Sequence, residues 1–238
     1  MMDELSTGKK YKCVFFDLDH TLWDYETNCR ETLYDLYSAY QLDKRNIPDG
    51  QSLYEQFKKV NTTLWDLYDR QLITQDVIRK ERFKQVLDHF GAYEETLSNQ
   101  LSDDYLEACP KKPNLMPYAE DVLHYLSKKY QLTIITNGFE KIQHVKLASG
   151  KISSYFKHII TSQKAGHRKP SPHIFEYAVH AHNIQCCDAI MIGDNLLTDI
   201  QGARGCTIDT VFYNPERIPH QSKTTYEIGC LSELLNIL

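Results

Sequence analysis

The chain has 238 residues, of which 42% are hydrophobic and 25% are charged. These proportions are typical of a globular protein and exclude a disordered, collagen-like or disulfide-framework chain. At about 150 residues per domain, the length predicts one large domain or two small ones. A net charge of -5 offers no basic surface for a nucleic-acid backbone, so polymeric DNA or RNA is not an expected partner.

The sequence also predicts a compartment. Residues 1–10 are polar and charged, and no apolar run approaches the ~18 residues that span a bilayer. The seven cysteines include no CxxC pair, which argues against a zinc ribbon or a fully paired disulfide framework. We therefore expect a cytoplasmic protein with reduced thiols and no membrane partner, either a monomer or a homodimer.

Short apolar runs that alternate with helical segments predict the fold class. The predicted strands are residues 12–16, 132–136, 158–161, 189–192 and 210–213. Between them, helices are predicted for residues 117–130 and 139–149 and from Ser171-Pro172 onward, and a short one for residues 231–238. This alternation favours an α/β fold with a Rossmann-like parallel sheet, covered by helices on both faces.

One long segment interrupts that alternation. Residues 24–109 contain no strand-like run but several amphipathic segments, including a helix that Thr74 can cap and that runs to Phe90. We predict that residues 1–23 and 110–238 form the core domain and that residues 24–109 form an inserted helical cap domain. An insert at this place covers the acidic end of the first strand.

Side chains suited to phosphate chemistry follow the predicted strands. Open α/β sheets bind ligands outside the carboxyl ends of their strands, so the residues at these ends are the candidates. They are Asp17, Asp19 and Thr21 after the first strand, Thr136, Asn137 and Gly138 after the second, Asp194 and Asp199 after the fourth, and Lys169 before the helix that leads to the fourth.

Their chemistry indicates a metal and a phosphate. Carboxylates that converge on one edge repel each other unless a cation neutralises them, and Mg²⁺ suits a site with few protein oxygens. The Lys169 ammonium, a threonine hydroxyl and the backbone N–H groups of Asn137 and Gly138 can donate to phosphate oxygens. The residues alone therefore predict phosphoryl chemistry.

Four motifs in this order resemble those of a known family. They are Asp17-Leu-Asp19-His-Thr21, Thr136, Lys169-Pro170 and Gly193-Asp194-Asn-Leu-Leu-Thr-Asp199. This pattern is similar to the DxDxT, T/S, K and GDxxxD signature of the haloacid dehalogenase (HAD) superfamily of aspartate-nucleophile phosphatases. The helical insert resembles the class I cap of that family.

Looser stretches resemble one subfamily, the YjjG-type pyrimidine 5'-nucleotidases, which hydrolyse nucleoside monophosphates. The resembling stretches are residues 19–24, 61–65, 79–83, 136–139 and 209–215. The resemblance implies a Mg²⁺-dependent phosphomonoesterase whose substrate is a pyrimidine nucleoside 5'-monophosphate. The same chemistry on a sugar phosphate or phosphoglycolate stays open as an alternative.

The resemblance also implies roles in catalysis. Asp17 would attack phosphorus and form an aspartyl-phosphate. Asp19 would protonate the leaving oxygen and later activate water. Thr136 and Lys169 would hold the transferring phosphoryl group.

The same resemblance implies a metal site formed by Asp17, Asp19, Asp194 and Asp199. Asp19 would contribute its backbone carbonyl, and Asp194 would complete the shell. Asp199 would hold a metal-bound water or Lys169 rather than bind the ion directly. His20 occupies a position where many relatives have glycine, so the backbone there is in question.

Two candidates for substrate recognition have competing interpretations. Arg79 and Arg82 share one helical face and could contact a substrate anion or base, but pairing with Asp76 or Glu81 explains them more simply. Arg79 is the candidate we retain for substrate contact. Phe139 follows the phosphate-binding residues and either stacks on a nucleobase or packs in the core.

Two other classes of function fit less well. Haloacid dehalogenases resemble this chain but lack the second motif acid, so Asp19 argues against dehalogenation. A non-catalytic phosphometabolite-binding protein would have no need for Asp17, Asp19, Lys169 and Asp194 together.

Overall fold

A computed structural model describes residues 11–238, which divide into two compact units. The first unit, the core unit, holds the chain up to Leu22 together with Met116–Glu140 and Ile152–Leu238. The second, the helical unit, holds Trp23–Leu115 and Lys141–Lys151. The predicted boundaries at residues 24 and 109 stay a prediction, and this division assigns residues 141–151 to the helical unit.

The core unit is built on a parallel sheet of six strands in the order β3-β2-β1-β4-β5-β6. The strands are β1 Cys13–Phe16, β2 Gln131–Thr136, β3 Phe156–Thr161, β4 Ala189–Gly193, β5 Asp209–Tyr213 and β6 Tyr226–Ile228. All residues of β1 and β4 are buried, as continuous apolar runs covered on both faces should be. The predicted α/β Rossmann-like fold is confirmed.

The helices follow in chain order along residues 11–238. They are α1 Tyr25–Ala39, α2 Gly50–Asp69, α3 Gln75–His89, α4 Glu95–Ala108, α5 Ala119–Leu126, α6 Glu140–Ser149, α7 Ser162–Ala165, α8 Pro172–Ala181, α9 Gly202–Gly205 and α10 Leu234–Ile237. A π-helical turn, Leu196–Gln201, precedes α9. The helix predicted for residues 117–130 is shorter, because α5 ends at Leu126 and the chain turns before β2.

The helix starts of the helical unit differ in how they are capped. The Asp24 carboxylate accepts from the Thr27 N–H at 3.0 Å, and the Asp49 carboxylate accepts from the Ser52 N–H at 2.7 Å. Thr74 is the N-cap of α3 in an extended conformation, but its side chain makes no capping hydrogen bond. The capping role predicted for Thr74 is therefore limited to its backbone.

The interior of the helical unit is aromatic. The ring centroid of Phe57 lies 5.3 Å from that of Phe83 and 4.8 Å from that of Tyr105. The Arg82 guanidinium carbon lies 4.6 Å from the Tyr105 centroid, within range of a cation–π contact. On α6, the buried Lys146 ammonium lies 4.5 Å from the Trp23 ring centroid. The contact between Lys146 and Trp23 connects α6 to the rest of the helical unit.

One histidine of the core unit is held in its neutral form. His182 follows α8, and its Nδ1 bonds the Gln131 Oε1 at 2.8 Å. An amide oxygen can only accept, so Nδ1 is the donor and Nε2 accepts from the Thr133 hydroxyl at 2.6 Å. Burial and the nearby His158 lower the pKa of His182 to about 4.

This lowered pKa predicts a pH-dependent stability. Unfolded His182 takes up a proton near its ordinary pKa of 6.5, whereas folded His182 does so only near 4. The free energy of unfolding should therefore fall as pH falls from about 6.5 to about 4. Urea unfolding at several pH values measures this dependence. In His182→Gln the free energy of unfolding should change less steeply with pH than in the wild type. The exposed His180 of α8 is the matched control, and an equal slope change in His180→Gln would contradict the assignment.

Candidate active site

The site lies at the carboxyl edge of the sheet and starts from Asp17, the residue that directly follows β1. The Asp17 N–H donates to the Ile192 carbonyl of β4 at 2.9 Å, which continues the β1–β4 ladder by one residue. This bond fixes the backbone of Asp17 beside the end of β4. Its side chain is only 12% exposed.

Lys169 reaches this carboxylate from the loop before α8. Its ammonium lies 2.5 Å from Asp17 Oδ1 and 2.6 Å from Asp199 Oδ1, and its side chain is 2% exposed. Burial alone would lower the pKa of Lys169, but the two carboxylates raise it above its usual value. The lysine is therefore a fixed positive charge between two acids.

Three carboxylates surround that one lysine. Asp17, Asp194 and Asp199 have carboxylate oxygens that all lie within 4.8 Å of one another. Burial, with a further contribution from the Asp199 charge, raises the pKa of Asp194 to about 7. Burial also raises the pKa of Asp17 well above its ordinary value, and the charges of Asp199 and Asp194 add to this effect. One ammonium does not balance three carboxylates.

The excess of negative charge at this site suits the binding of Mg²⁺. A small oxygen-binding cation would neutralise the remaining negative charge and keep the buried Asp17 and the half-buried Asp194 ionised at neutral pH. The donor set is all carboxylate, as Mg²⁺ prefers. In residues 11–238, the Asp19 side chain lies outside this cluster, which leaves its backbone carbonyl as the ligand that the family resemblance implies. The residues therefore fit the ion.

Neighbouring polar groups orient the acids. The Thr21 hydroxyl donates to Asp194 Oδ1 at 2.8 Å, a role that the sequence did not reveal. The Asn195 N–H donates to Asp199 Oδ2 at 3.0 Å. Gly193 permits this arrangement, because a Cβ at that position would come closer than 3.0 Å to the Asp199 side chain. Asp199 itself is only 1% exposed, so it is not an acid on a solvated helix surface.

The residues after β2 lie at the same edge. Thr136 is 2% exposed, and its hydroxyl oxygen accepts from the Gly138 N–H at 3.1 Å. The Asn137 side chain bonds the backbone of Lys169 twice, which sequence reasoning missed because it assigned only a backbone N–H to Asn137. Phe139 is half-buried, and its stacking role stays a prediction.

The turn after β1 answers the question about His20. Its φ is 62°, in the left-handed region where glycine is least strained. The backbone conformation that favours glycine is thus kept with a side chain present. Asp19, the residue before it, is half-buried.

The two arginines of the helical unit have separate environments. Arg79 is exposed and pairs with Asp103 of α4 at 2.7 Å, instead of with Asp76 or Glu81 of its own helix. Arg82 is 3% exposed and donates to Asn61 Oδ1 at 3.3 Å. The predicted contact between Arg79 and substrate stays a prediction.

A comparison with models of protein families identifies the family of this chain. The model of the haloacid dehalogenase-like hydrolases matches residues 11–207, which include all four motifs. The chain belongs to this family. It is a HAD-type hydrolase, as the order of the motifs predicted.

Relatives cover almost the whole chain. Pyrimidine 5'-nucleotidase PynA of Streptococcus pneumoniae is 29% identical over 96% of this chain and 95% of its own length. Pyrimidine 5'-nucleotidase YjjG of Escherichia coli is 25% identical over 96% of this chain and 98% of its own length. This chain is similar to both along the core and the helical insert alike.

A third relative has a solved structure. Putative HAD-hydrolase YfnB of Bacillus subtilis is 29% identical over 97% of this chain and 96% of its own length. Its crystal structure, bound to magnesium, superposes with a TM-score of 0.86 over 96% of this chain and 99% of that chain, at 28% identity.

Within residues 11–238, no helix has both the length and the apolar character to cross a membrane.

The close approach at Gly193 yields a prediction with a matched control. A methyl group in Gly193→Ala would displace the Asp199 carboxylate from Lys169. Because displacing a catalytic group by about 1 Å can cost ~100-fold in rate, we expect a loss of that order in kcat. In Gly205→Ala the added methyl meets nothing within 4 Å, so activity should be unchanged. Hydrolysis rates measure both variants, and full activity in Gly193→Ala would contradict the steric argument.

Proposed function

We propose that the chain is a Mg²⁺-dependent phosphomonoester hydrolase that forms an aspartyl-phosphate on Asp17 and acts on pyrimidine nucleoside 5'-monophosphates. The observation that carries the chemistry is the buried contact of Lys169 with both Asp17 and Asp199. An ammonium at this place is an electrostatic partner for a phosphoryl group bound at Asp17. The similarity to PynA and YjjG supports the substrate class.

The proposed reaction has two steps. In the first, a carboxylate oxygen of Asp17 forms a bond to phosphorus, the bond from phosphorus to the ester oxygen breaks, and Asp19 gives its proton to that oxygen. In the second, Asp19 takes a proton from water, the water oxygen bonds phosphorus, and the bond to Asp17 breaks. The products are an alcohol and inorganic phosphate, with Asp17 restored as a carboxylate.

The chain's own groups stabilise the negative charge of the phosphoryl group in both steps. Lys169 is already fixed beside Asp17, so it needs no reorganisation when the charge develops. The Thr136 hydroxyl lies at the end of the neighbouring strand β2 and can donate to a phosphoryl oxygen. Asp17 and Asp194 would hold Mg²⁺, and the bound ion would supply further positive charge that stabilises the phosphoryl group.

The substrate proposal predicts a ranking of substrates. The purified protein with Mg²⁺ is tested for phosphate release from pyrimidine and purine monophosphates, sugar phosphates and phosphoglycolate, compared by kcat/KM. Pyrimidine monophosphates should rank first. A sugar phosphate in first place would keep the chemistry and overturn the substrate class.

The nucleophile is tested in the same assay. Asp17→Asn keeps the shape of the side chain but removes the attacking carboxylate, so kcat should fall by more than about 1,000-fold. Asp121→Asn, at an exposed position of α5, is the control and should be fully active. Substantial turnover by Asp17→Asn would exclude the covalent mechanism.

The metal proposal has its own test. Chelation with EDTA should abolish hydrolysis, and added Mg²⁺ should restore it, because the carboxylates otherwise carry unbalanced charge. Calorimetric titration of the EDTA-treated protein should show one Mg²⁺ site that Asp194→Asn weakens. Undiminished activity in EDTA, or equal Mg²⁺ affinity in Asp194→Asn, would contradict this proposal.

A further inference from the structure

The side-chain amide of Asn137 holds the backbone of Lys169 with two hydrogen bonds. Its Nδ2 donates to the Lys169 carbonyl at 2.9 Å, and its Oδ1 accepts from the Lys169 N–H at 2.8 Å. Asn137 is 8% exposed, and both bonds are buried. The two polar groups of the Lys169 main chain therefore bind one side chain, that of the residue directly after β2.

This arrangement matters because Lys169 lies in a loop. The segment between α7 and α8 has no ladder of its own, and Pro170, the next residue, has no N–H to contribute. The lysine ammonium must nevertheless reach two carboxylates at 2.5 and 2.6 Å. The Cα position of Lys169 is therefore set by Asn137, whose backbone directly follows β2.

In the chain, Asn137 also lies between Thr136 and Gly138, two other residues for which we predicted phosphate binding. The Gly138 N–H already bonds the Thr136 hydroxyl oxygen. A single residue thus fixes the distance between the loop after β2 and the lysine. We propose that Asn137 is a positioning residue, whose side chain acts through Lys169 instead of touching the phosphate.

The inference rests on the proposed function, since it assigns Asn137 a part in phosphoryl transfer. Loss of the amide should keep the charge of the lysine but free its backbone to shift. Misplacement of a catalytic group by about 1 Å can cost ~100-fold, so kcat should fall about 30- to 100-fold in Asn137→Ala while KM changes less than about threefold.

A double-mutant cycle separates positioning from a merely structural role. Asn137→Ala, Lys169→Met and the double variant are compared on the best substrate of the panel. If Asn137 acts through the lysine ammonium, Asn137→Ala should lower kcat less than about twofold further once Lys169→Met is present. An equal factor in both backgrounds would overturn the proposal and point to direct phosphate contact.

Stability should behave in the opposite way. The two hydrogen bonds end on the main chain of residue 169, so they persist in Lys169→Met. Asn137→Ala should therefore lower the free energy of unfolding equally in both backgrounds, as urea unfolding would measure. Additive effects on stability together with non-additive effects on rate form the signature of the proposed role. Asn236→Ala, at an exposed asparagine of α10, should change neither quantity.

A readout without turnover keeps this test separate from the proposed function. Crystal structures of the wild type and of Asn137→Ala are compared. In the variant, the lysine ammonium should lie about 1 Å or more farther from Asp17 and Asp199 than in the wild type, whatever the substrate. An unmoved ammonium would overturn the positioning role even if the enzyme hydrolyses nucleotides. If Asn137→Ala does not fold, Asn137→Asp, which keeps the acceptor for the Lys169 N–H, takes its place in the cycle and in the crystals.

Discussion

Two buried carboxylates, of Asp17 and Asp199, and the half-buried carboxylate of Asp194 lie around one ammonium, and this arrangement is the constraint on which the rest of the core unit depends. Like charges at this distance are tolerated only with a counter-charge, and Lys169 supplies part of it at 2.5 Å from Asp17 and 2.6 Å from Asp199. The parallel sheet makes the arrangement possible, because all its strands end on one edge. Polar contacts orient these charged groups, and they come from Thr21, Asn195 and the Asn137 amide. The charges are thereby held at the place where we propose that the phosphoryl group binds.

The sequence predicted most of the core and several of the residues that meet at its edge, whereas their catalytic roles stay a prediction. Five strands could be read from their apolar runs, because buried strands such as β1 and β4 have a continuous apolar pattern, and the runs of β1 and β4 stop at Asp17 and Asp194. The sixth strand, Tyr226–Ile228, has three residues and no such pattern. The hydrogen bonds between the Asn137 side chain and the Lys169 backbone could not be predicted either, since a bond between residues 32 positions apart leaves no local signal in the sequence.

The helical unit was harder to predict in detail. Periodicity showed that helices fill residues 24–109, but it placed Arg79 and Arg82 together because they share one face of a helix. In the structure, Arg82 is buried among aromatic rings while Arg79 reaches across to Asp103. Which side of a helix face meets a neighbour is decided by packing between helices, and one sequence does not contain that information. The same limit applies to α6, whose buried Lys146 faces Trp23.

The assignment of α6 to the helical unit changes how this protein can be taken apart. The chain crosses between the units four times, at residues 22/23, 115/116, 140/141 and 151/152, where a simple insertion would cross twice. Excising residues 24–109 would remove Tyr25, whose ring centroid lies 5.6 Å from the buried Lys146 ammonium of α6. The insert is therefore not an exchangeable module, and a chimera that borrows a cap from a relative must bring the matching helix with it.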